Sequence, residues 1–123
     1  MDTSINWFEI PATDIARAAN FYSTILEHEV AIQDFGEFKM ATLSNVPGAL
    51  TGALMQYQSY VPSETHGPLI YLNAGEDLQP MLDRVEEAGG KVIMPKRQIS
   101  PEVGYMAMFI DSEGNRMALH SPS

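Results

Sequence analysis

The 123-residue sequence predicts an α+β fold built from two β-α-β-β-β modules. Two segments carry apolar residues at helical spacing, and each lies after one strand-like run and before three more. Asp14 and Asp77 precede these segments at equivalent points, 63 positions apart (77 minus 14), which indicates a duplicated module. Side chains alternate along a strand, so each sheet packs one face on its helix and leaves the other face free. The two sheets are therefore expected to form a cupped mixed sheet around a cavity.

The first module is predicted to span about residues 4–58. It opens with a strand, INWFEI, and continues with PATD, in which Thr13 or Asp14 can cap a helix. The helix is predicted over residues 14–27, because the apolar positions recur at helical spacing: Ile15, Ala18, Ala19, Tyr22, Ile25 and Leu26. Three strands follow, with SNVPG as the turn between the last two: about 29–35, 37–44 and 50–58.

The segment at 59–68, SYVPSETHGP, is rich in turn formers and is predicted to be a linker. The second module, about 69–121, begins with the strand LIYLN. Asp77 is predicted to cap a helix that ends at Gly89-Gly90. Three more strands follow as KVIMP, GYMAMFI and NRMALHS, with DSEG as a type I turn between the last two. Residues 1–123 are thus expected to form a single domain.

Composition restricts the classes of partner. The net charge of −9 argues against nucleic acid, because phosphate binding requires a basic face. It favours a neutral or cationic ligand, although solubility alone also explains an acidic surface. The absence of cysteine excludes disulfides, thiolate metal sites and a cysteine nucleophile. MDTSINWFEI lacks the features of a signal peptide and no apolar run has membrane-spanning length, so a cytoplasmic protein with no membrane partner is expected.

Three segments carry a resemblance to a known family: WFEIPATDIARAANFYSTIL at 7–26, YLNAGEDLQPMLDRVEEAGGKVIMPK at 71–96 and GYMAMFIDSEGNRMALHS at 104–121. In their order and spacing they resemble the vicinal oxygen chelate superfamily, which contains glyoxalases, extradiol dioxygenases and bleomycin-resistance proteins. The resemblance covers nearly the whole chain. It implies paired modules in a cupped sheet, usually a homodimer, with a small organic ligand inside the cup.

The resemblance also implies a member without the usual divalent metal. Metal-dependent members carry a histidine seven residues before the equivalent of Asp14, and here that residue is Trp7. They carry a glutamate three residues after the asparagine of the last turn, and here that residue is Ala118. The equivalent position of the second module falls near Leu69 or Ile70. We therefore expect neither a metal nor another cofactor.

Strand alternation selects the candidate site residues. On the first strand Phe8 and Ile10 suit the helix-packing face, which leaves Trp7 and Glu9 on the concave face. In the second module, the same alternation places Arg116 and Ala118 on the side of the cavity. The expected ligand-binding residues lie on that side as well: Tyr71, Asn73, Met106, Met108 and His120. Trp7 is expected to join them, since aromatic and methionine side chains are adaptable ligand surfaces.

Glu9 is the candidate catalytic residue. A carboxylate on an apolar strand beside Trp7 should be desolvated, which raises its pKa and suits a general base or an anchor for a cation. The alternative is a structural glutamate paired with Arg116 or hydrogen-bonded to Tyr71. The alternative for His120 is that it is a surface or dimer-contact residue, because it lies close to the C-terminus. A metal site built from Glu9 and His120 would need a third ligand.

The favoured hypothesis is a glyoxalase- and bleomycin-resistance-like protein that binds a small organic molecule in the concave cavity without the usual metal. The alternative is a lyase, isomerase or dioxygenase of the same superfamily that uses Glu9 as a base or an unusual metal site. A third is an interaction protein whose cup is filled by its own side chains. The residues alone do not decide whether the chain is an enzyme.

Overall fold

The structure, a computed structural model, describes residues 4–123. Its elements in chain order are β1 (Glu9–Pro11), α1 (Ile15–Leu26), β2 (Ile32–Asp34), β3 (Lys39–Thr42), β4 (Ala53–Gln56), β5 (Tyr71–Asn73), α2 (Gln79–Asp83), β6 (Lys91–Ser100), β7 (Gly104–Ile110) and β8 (Arg116–Ser121). The strands form two four-stranded sheets, ordered β1-β4-β3-β2 and β5-β8-β7-β6. In each sheet the first pair is parallel and the other pairs are antiparallel. The predicted α+β fold of two β-α-β-β-β modules is confirmed.

Helix α1 begins where the sequence predicts. Asp14 is its N-cap, with extended backbone angles and a side-chain oxygen that accepts a hydrogen bond from the N–H of Arg17 at 3.1 Å. The helix ends at Glu27, whose backbone is left-handed at φ 59°. Its buried face consists of the predicted apolar residues other than Leu26, which is partly buried, together with Phe21.

Helix α2 is shorter than the sequence predicts. It covers five residues and its N-cap is Leu78, whose side chain supplies no capping hydrogen bond. Asp77 instead accepts from the N–H of Gln79 at 3.0 Å and from Nζ of Lys96 at 2.7 Å. The segment after Asp83 continues in turns with mixed bonding. The N–H groups of Val85 and Gly89 bond to carbonyls three residues back, as in a 3₁₀ helix, whereas that of Ala88 bonds four residues back.

One hydrophobic core serves both modules and lies on the helix side of the two sheets. Phe21 of α1 illustrates this, because its ring centroid lies 4.9 Å from that of Tyr22 in the same helix and 5.9 Å from that of Phe109 in β7. All three side chains are fully buried. The two modules of the chain are therefore joined through their helix-packing faces.

A set of polar contacts reinforces this join, and we call it the module junction. Glu113, in the turn between β7 and β8, accepts hydrogen bonds from the backbone N–H groups of Thr13 and Asp14 at 2.9 and 2.8 Å and from Nε of Arg17 at 2.7 Å. Its side chain has no exposed surface. Asn115 donates from Nδ2 to the carbonyl of Pro11 at 2.7 Å. The turn of module 2 thus holds the segment that leads into α1.

A buried carboxylate completes the module junction. Asp111 accepts from the hydroxyl of the fully buried Tyr22 at 2.7 Å and from Nδ2 of Asn115 at 3.0 Å. Burial raises the pKa of Asp111 against the opposing effect of these hydrogen bonds. For Glu113, burial is the largest single effect on the pKa and acts to raise it. The hydrogen bonds that Glu113 accepts, chiefly from Arg17 and from the backbone of Asp14, together outweigh burial, so the pKa of Glu113 is lowered.

Because the modules join on the helix side, the opposite faces of the sheets stay accessible in the single chain. Trp7 is 43% exposed and Tyr71 is 48% exposed, although both are large apolar side chains. Within residues 4–123, no helix has the length and apolar character needed to cross a membrane.

Candidate ligand-binding site

The concave face of module 2 carries two cross-strand rows. One row, the apolar row, runs through Met94, Met108, Ala118 and Tyr71, which pair across β6, β7, β8 and β5. The neighbouring polar row runs through Arg97, Met106, His120 and Asn73 in the same strand order. Paired residues of adjacent strands present their side chains on the same face. The sheet thus offers an apolar floor beside a line of donors and acceptors.

A hollow of about 750 Å³ lies on this face, and we call it the module 2 hollow. Its volume is in the range of small-molecule sites, roughly 300–1,000 Å³. The lining is mostly apolar: Tyr71, Leu72, Asn73, Ile99, Val103, His120 and Pro122. Three of the predicted site residues, Tyr71, Asn73 and His120, therefore converge on one hollow.

His120 is held in a defined orientation. Its Nε2 lies 2.6 Å from the carbonyl oxygen of Val103. A carbonyl oxygen only accepts, so Nε2 carries the hydrogen and Nδ1 keeps its lone pair when the ring is neutral. His120 is partly buried. This arrangement provides an acceptor for a ligand N–H or O–H group and a place to receive a proton.

Glu9 is held on the concave face of module 1 by two aromatic donors. Tyr60 donates its hydroxyl to Oε1 at 2.5 Å, and Trp7 donates from Nε1 to Oε2 at 3.2 Å. The hydrogen bond to Glu9 is the main reason that the pKa of Tyr60 is raised. These contacts replace the partners expected for a structural glutamate, Arg116 and Tyr71. Arg116 donates instead to the carbonyl of Gly67 at 3.0 Å.

Four further rings extend from Glu9 across module 1, and we call them the aromatic ladder: Phe35, Phe38, Tyr57 and Tyr60. Phe35 and Phe38 are stacked with centroids 4.9 Å apart. The centroids of Phe38 and Tyr57 are 6.5 Å apart, and those of Tyr57 and Tyr60 are 6.0 Å apart, both edge to face. Strand alternation did not predict these residues as part of the site. The sequence does carry a sign of the ladder, because a pair of aromatic residues three positions apart occurs at each of two strand ends.

A second hollow, of about 450 Å³, lies beside the ladder, and we call it the module 1 hollow. It is lined by Ala12, Thr13, Glu37, Gln56, Tyr57, Gln58, Tyr60, Val61 and Pro62. Gln56 is fixed by accepting the N–H of Ile15 at 2.7 Å, at the start of α1. This hollow contains a carboxylate and two ladder tyrosines but no basic residue among its lining.

The donors present do not fit the divalent metal centre of metal-dependent relatives. Trp7 occupies one expected ligand position and is engaged with Glu9, while Ala118 occupies another and is fully buried. Glu9 and His120 belong to different sheets. Across residues 4–123, no three histidine, cysteine, aspartate or glutamate side chains are grouped so that they could hold a metal ion.

The predicted site residues therefore fall into two groups. Tyr71, Asn73 and His120 line the module 2 hollow, and Met106 and Met108 lie in the rows beside them. Trp7 and Glu9 lie together on the other module. Parity placed each group on a concave face, whereas the side chains that close the hollows came from segments outside the predicted set.

Residues 4–119 match the family model described as Glyoxalase/Bleomycin resistance protein/Dioxygenase superfamily. A glyoxylase-like domain-containing protein of Didymella fabae is 31% identical over 121 residues, covering 94% of this chain and 91% of that protein. The anthracycline biosynthesis protein DnrV of Streptomyces peucetius is 30% identical over 92% of this chain. This chain spans only 45% of the length of DnrV.

Solved structures show the same fold. TnmS3, an antibiotic binding protein from Streptomyces sp. CB03234, superposes with a TM-score of 0.67 at 26% identity, covering 100% of this chain and 99% of TnmS3. The trypanothione-dependent glyoxalase I of Leishmania major has a TM-score of 0.71 at 18% identity, covering 98% and 88% of the two chains, and shows the fold alone. The family match over nearly the whole chain and the two-module fold establish that this chain belongs to the glyoxalase/bleomycin resistance protein/dioxygenase superfamily.

Proposed function

We propose that the protein binds a small, largely apolar organic molecule on its concave faces without the usual divalent metal. The observation that carries the proposal is the module 2 hollow, where Tyr71, Asn73 and His120 converge over a mostly apolar lining. A few polar groups set in an apolar concavity are typical of small-molecule sites. The apolar row supplies the surface and the polar row supplies the orientation.

The chemistry of the rows suits a flat molecule with a polar edge. Met94 and Met108 offer flexible, polarisable side chains that adapt to a ring. Nδ1 of His120 accepts a hydrogen bond, and Arg97 lies in the same row as a donor. A fused-ring ketone or quinone with a hydroxyl group would engage both. Names of relatives point the same way, since TnmS3 is an antibiotic binding protein and DnrV an anthracycline biosynthesis protein.

We propose that a second copy of the chain covers these faces in a cytoplasmic homodimer. Trp7 and Tyr71 are both near half exposed, and burying large rings of this kind against another surface is favourable. Pairing the concave face of one module with that of another copy would enclose both hollows. Sedimentation equilibrium tests this, and a monomer at all concentrations would contradict it.

An enzymatic role for Glu9 is the alternative, and one observation favours it. Two donors fix the carboxylate on the concave face, as expected for a base that must be aimed at a substrate. A lyase or isomerase that uses Glu9 to remove a proton would fit this geometry. Turnover that disappears in Glu9→Gln while ligand affinity stays would support the alternative.

The binding proposal is tested with neutral fused-ring ketones, such as anthraquinone and naphthoquinone derivatives carrying hydroxyl groups. Isothermal titration calorimetry of the unmodified chain should yield saturable binding. His120→Ala and Tyr71→Leu should each weaken it about threefold to thirtyfold, since each removes one hydrogen bond or one ring contact. Unchanged affinity in both variants would refute the assignment of this hollow.

The matched control is His66→Ala. His66 is an exposed histidine of the connecting segment whose Nδ1 lies 2.7 Å from the hydroxyl of Thr65. Its removal alters the histidine content equally but leaves the module 2 hollow intact. Affinity in this variant should match that of the unmodified chain within a factor of two.

A further inference from the structure

The aromatic ladder crosses module 1 and ends at a carboxylate. Phe35 and Phe38 come from the turn between β2 and β3, while Tyr57 and Tyr60 follow β4, so the ladder is assembled from distant segments. Neighbouring ring centroids are 4.9–6.5 Å apart, and Tyr60 reaches Glu9. Ring faces carry partial negative charge and attract cations within about 6 Å of the centroid.

The charged side chain that lines the module 1 hollow is acidic, and Lys39, which follows Phe38 and begins β3, is not among the lining residues. Glu37 lines the module 1 hollow, and no lysine, arginine or histidine is among the lining residues. The ion pairs described within residues 4–123 use other carboxylates, namely those of Glu113, Glu27 and Asp77. Glu9 is instead bonded to the neutral donors Trp7 and Tyr60. None of the ion pairs described within residues 4–123 therefore occupies Glu9, which leaves it accessible to a cationic ligand.

The two hollows favour ligands with different polar groups. The polar row of module 2 contains Arg97 and His120, which favour carbonyl or acidic groups. Module 1 combines Glu9, Glu37 and aromatic rings, which favour a positive charge on a flat body. The hollow of about 450 Å³, which Glu37 and two ladder tyrosines line and to which Glu9 is connected through Tyr60, accommodates a small ring system. The two modules are therefore suited to different ligand groups, carbonyl or acidic groups at module 2 and a positive charge at module 1.

We propose that the aromatic ladder with Glu9 and Glu37 binds a cationic planar ring, such as a quaternised or protonated nitrogen heterocycle. The proposal rests on the function proposed above, because both use the concave faces, but its residues belong to module 1 alone. The ring stacks on the ladder and its nitrogen lies toward Glu9.

The test compares two tricyclic probes of similar shape, cationic N-methylacridinium and neutral acridone. Fluorescence anisotropy of the probe measures affinity, and quenching of Trp7, the only tryptophan of the chain, reports binding near Glu9. We expect the cation to bind about tenfold more tightly than the neutral ring. Because acridone is also a fused-ring ketone that the module 2 hollow is proposed to bind, the two affinities are compared through the quenching of Trp7, which contacts Glu9 in module 1. Equal affinity of the two probes in that readout would overturn the proposed ligand class.

Three variants locate the site. Glu9→Gln removes the charge and Tyr57→Leu removes a central ring, and each should weaken binding of the cation about threefold to tenfold. Glu87→Gln removes the same charge from an exposed position beyond α2 and should change affinity less than twofold. Far-UV circular dichroism and the melting temperature identify any variant that fails to fold, and Phe38→Leu then replaces Tyr57→Leu.

The outcomes separate this inference from the proposed function. Equal losses in Glu9→Gln and Glu87→Gln would show that general acidity attracts the cation, and the inference would be wrong. If only His120→Ala and Tyr71→Leu weaken acridone binding, and Glu9→Gln and Tyr57→Leu leave N-methylacridinium binding unchanged, the proposed function stands while the ladder assignment is wrong. If N-methylacridinium binds and only the ladder variants weaken it, the inference stands.

Discussion

Replacing Tyr22 by phenylalanine removes a single hydroxyl from the module junction and leaves the ring in place. That hydroxyl is fully buried and donates to Oδ2 of Asp111 at 2.7 Å. A hydrogen bond to a charged group contributes about 1.5–3 kcal/mol. Asp111 retains three other donors, the N–H groups of Glu113 and Asn115 and Nδ2 of Asn115, so the loss lies near the lower end. We expect Tyr22→Phe to lower the free energy of unfolding by about 2 kcal/mol at neutral pH.

The loss should shrink in acid. Burial raises the pKa of Asp111, so ionisation of this group opposes folding, and its contribution to stability is present at low pH and is lost as pH rises through the folded-state pKa. The hydrogen bond from Tyr22 offsets that loss. Without it the pKa of Asp111 rises further. When Asp111 is protonated the bond joins two neutral groups, and removing it costs about 1 kcal/mol.

Urea unfolding followed by far-UV circular dichroism, at neutral and at acidic pH, measures both quantities. Tyr105→Phe is the matched control, because Tyr105 is only partly buried and its ring, 4.8 Å from Nζ of Lys96, is retained. The control should stay within about 0.5 kcal/mol of the unmodified chain. A loss below about 0.5 kcal/mol for Tyr22→Phe at neutral pH, or equal losses at both pH values, would refute the role assigned to this contact.

Three further changes have expected outcomes. Glu113→Gln should destabilise the fold by about 2 kcal/mol at neutral pH, because it removes the charge that bonds Arg17. The lowered pKa of Glu113 means that its contribution is present above the unfolded-state pKa and is lost as pH falls through the folded-state pKa, so the variant and the parent should converge in acid urea titrations. Gly52→Ala should cost roughly 1–3 kcal/mol or more in chemical denaturation, because the added Cβ collides with the carbonyl oxygen and ring of Phe8; a cost near zero would contradict the close approach. Asp14→Ala should lower the melting temperature by roughly 3–6 °C through loss of the cap, and an unchanged value would show that the cap is dispensable.

The periodicity of the sequence predicted α1 almost to the residue, because spacing and capping agree there. In the second module the same reasoning predicted too long a helix. Leu78 and Val85 are fully buried as their spacing requires, yet the regular helix ends at Asp83. Periodicity reports which side of a segment is buried, and a succession of turns buries nearly the same side as a helix.

The candidate site could be predicted only in part. Alternation along β5 and β8 was enough to bring Tyr71, Asn73 and His120 to one face, because a strand has a fixed period of two. The aromatic ladder required the register between β3 and β4, which brings Phe38 beside Tyr57. Neither strand determines that register by itself, so the sequence pattern did not reveal the ladder.

The module junction also bears on how two chains can share their halves. Glu113 contacts Thr13, Asp14 and Arg17 across a gap in sequence of about a hundred positions, and nothing in those contacts requires a single polypeptide. If two subunits exchanged their second modules, the same hydrogen bonds would form between chains. The length of the stretch at 57–70 therefore determines whether the modules pair within one chain or between two chains. Trimming residues 64–66 of that stretch, which line neither hollow, would favour interlocked chains while every strand, helix and hollow kept its residues.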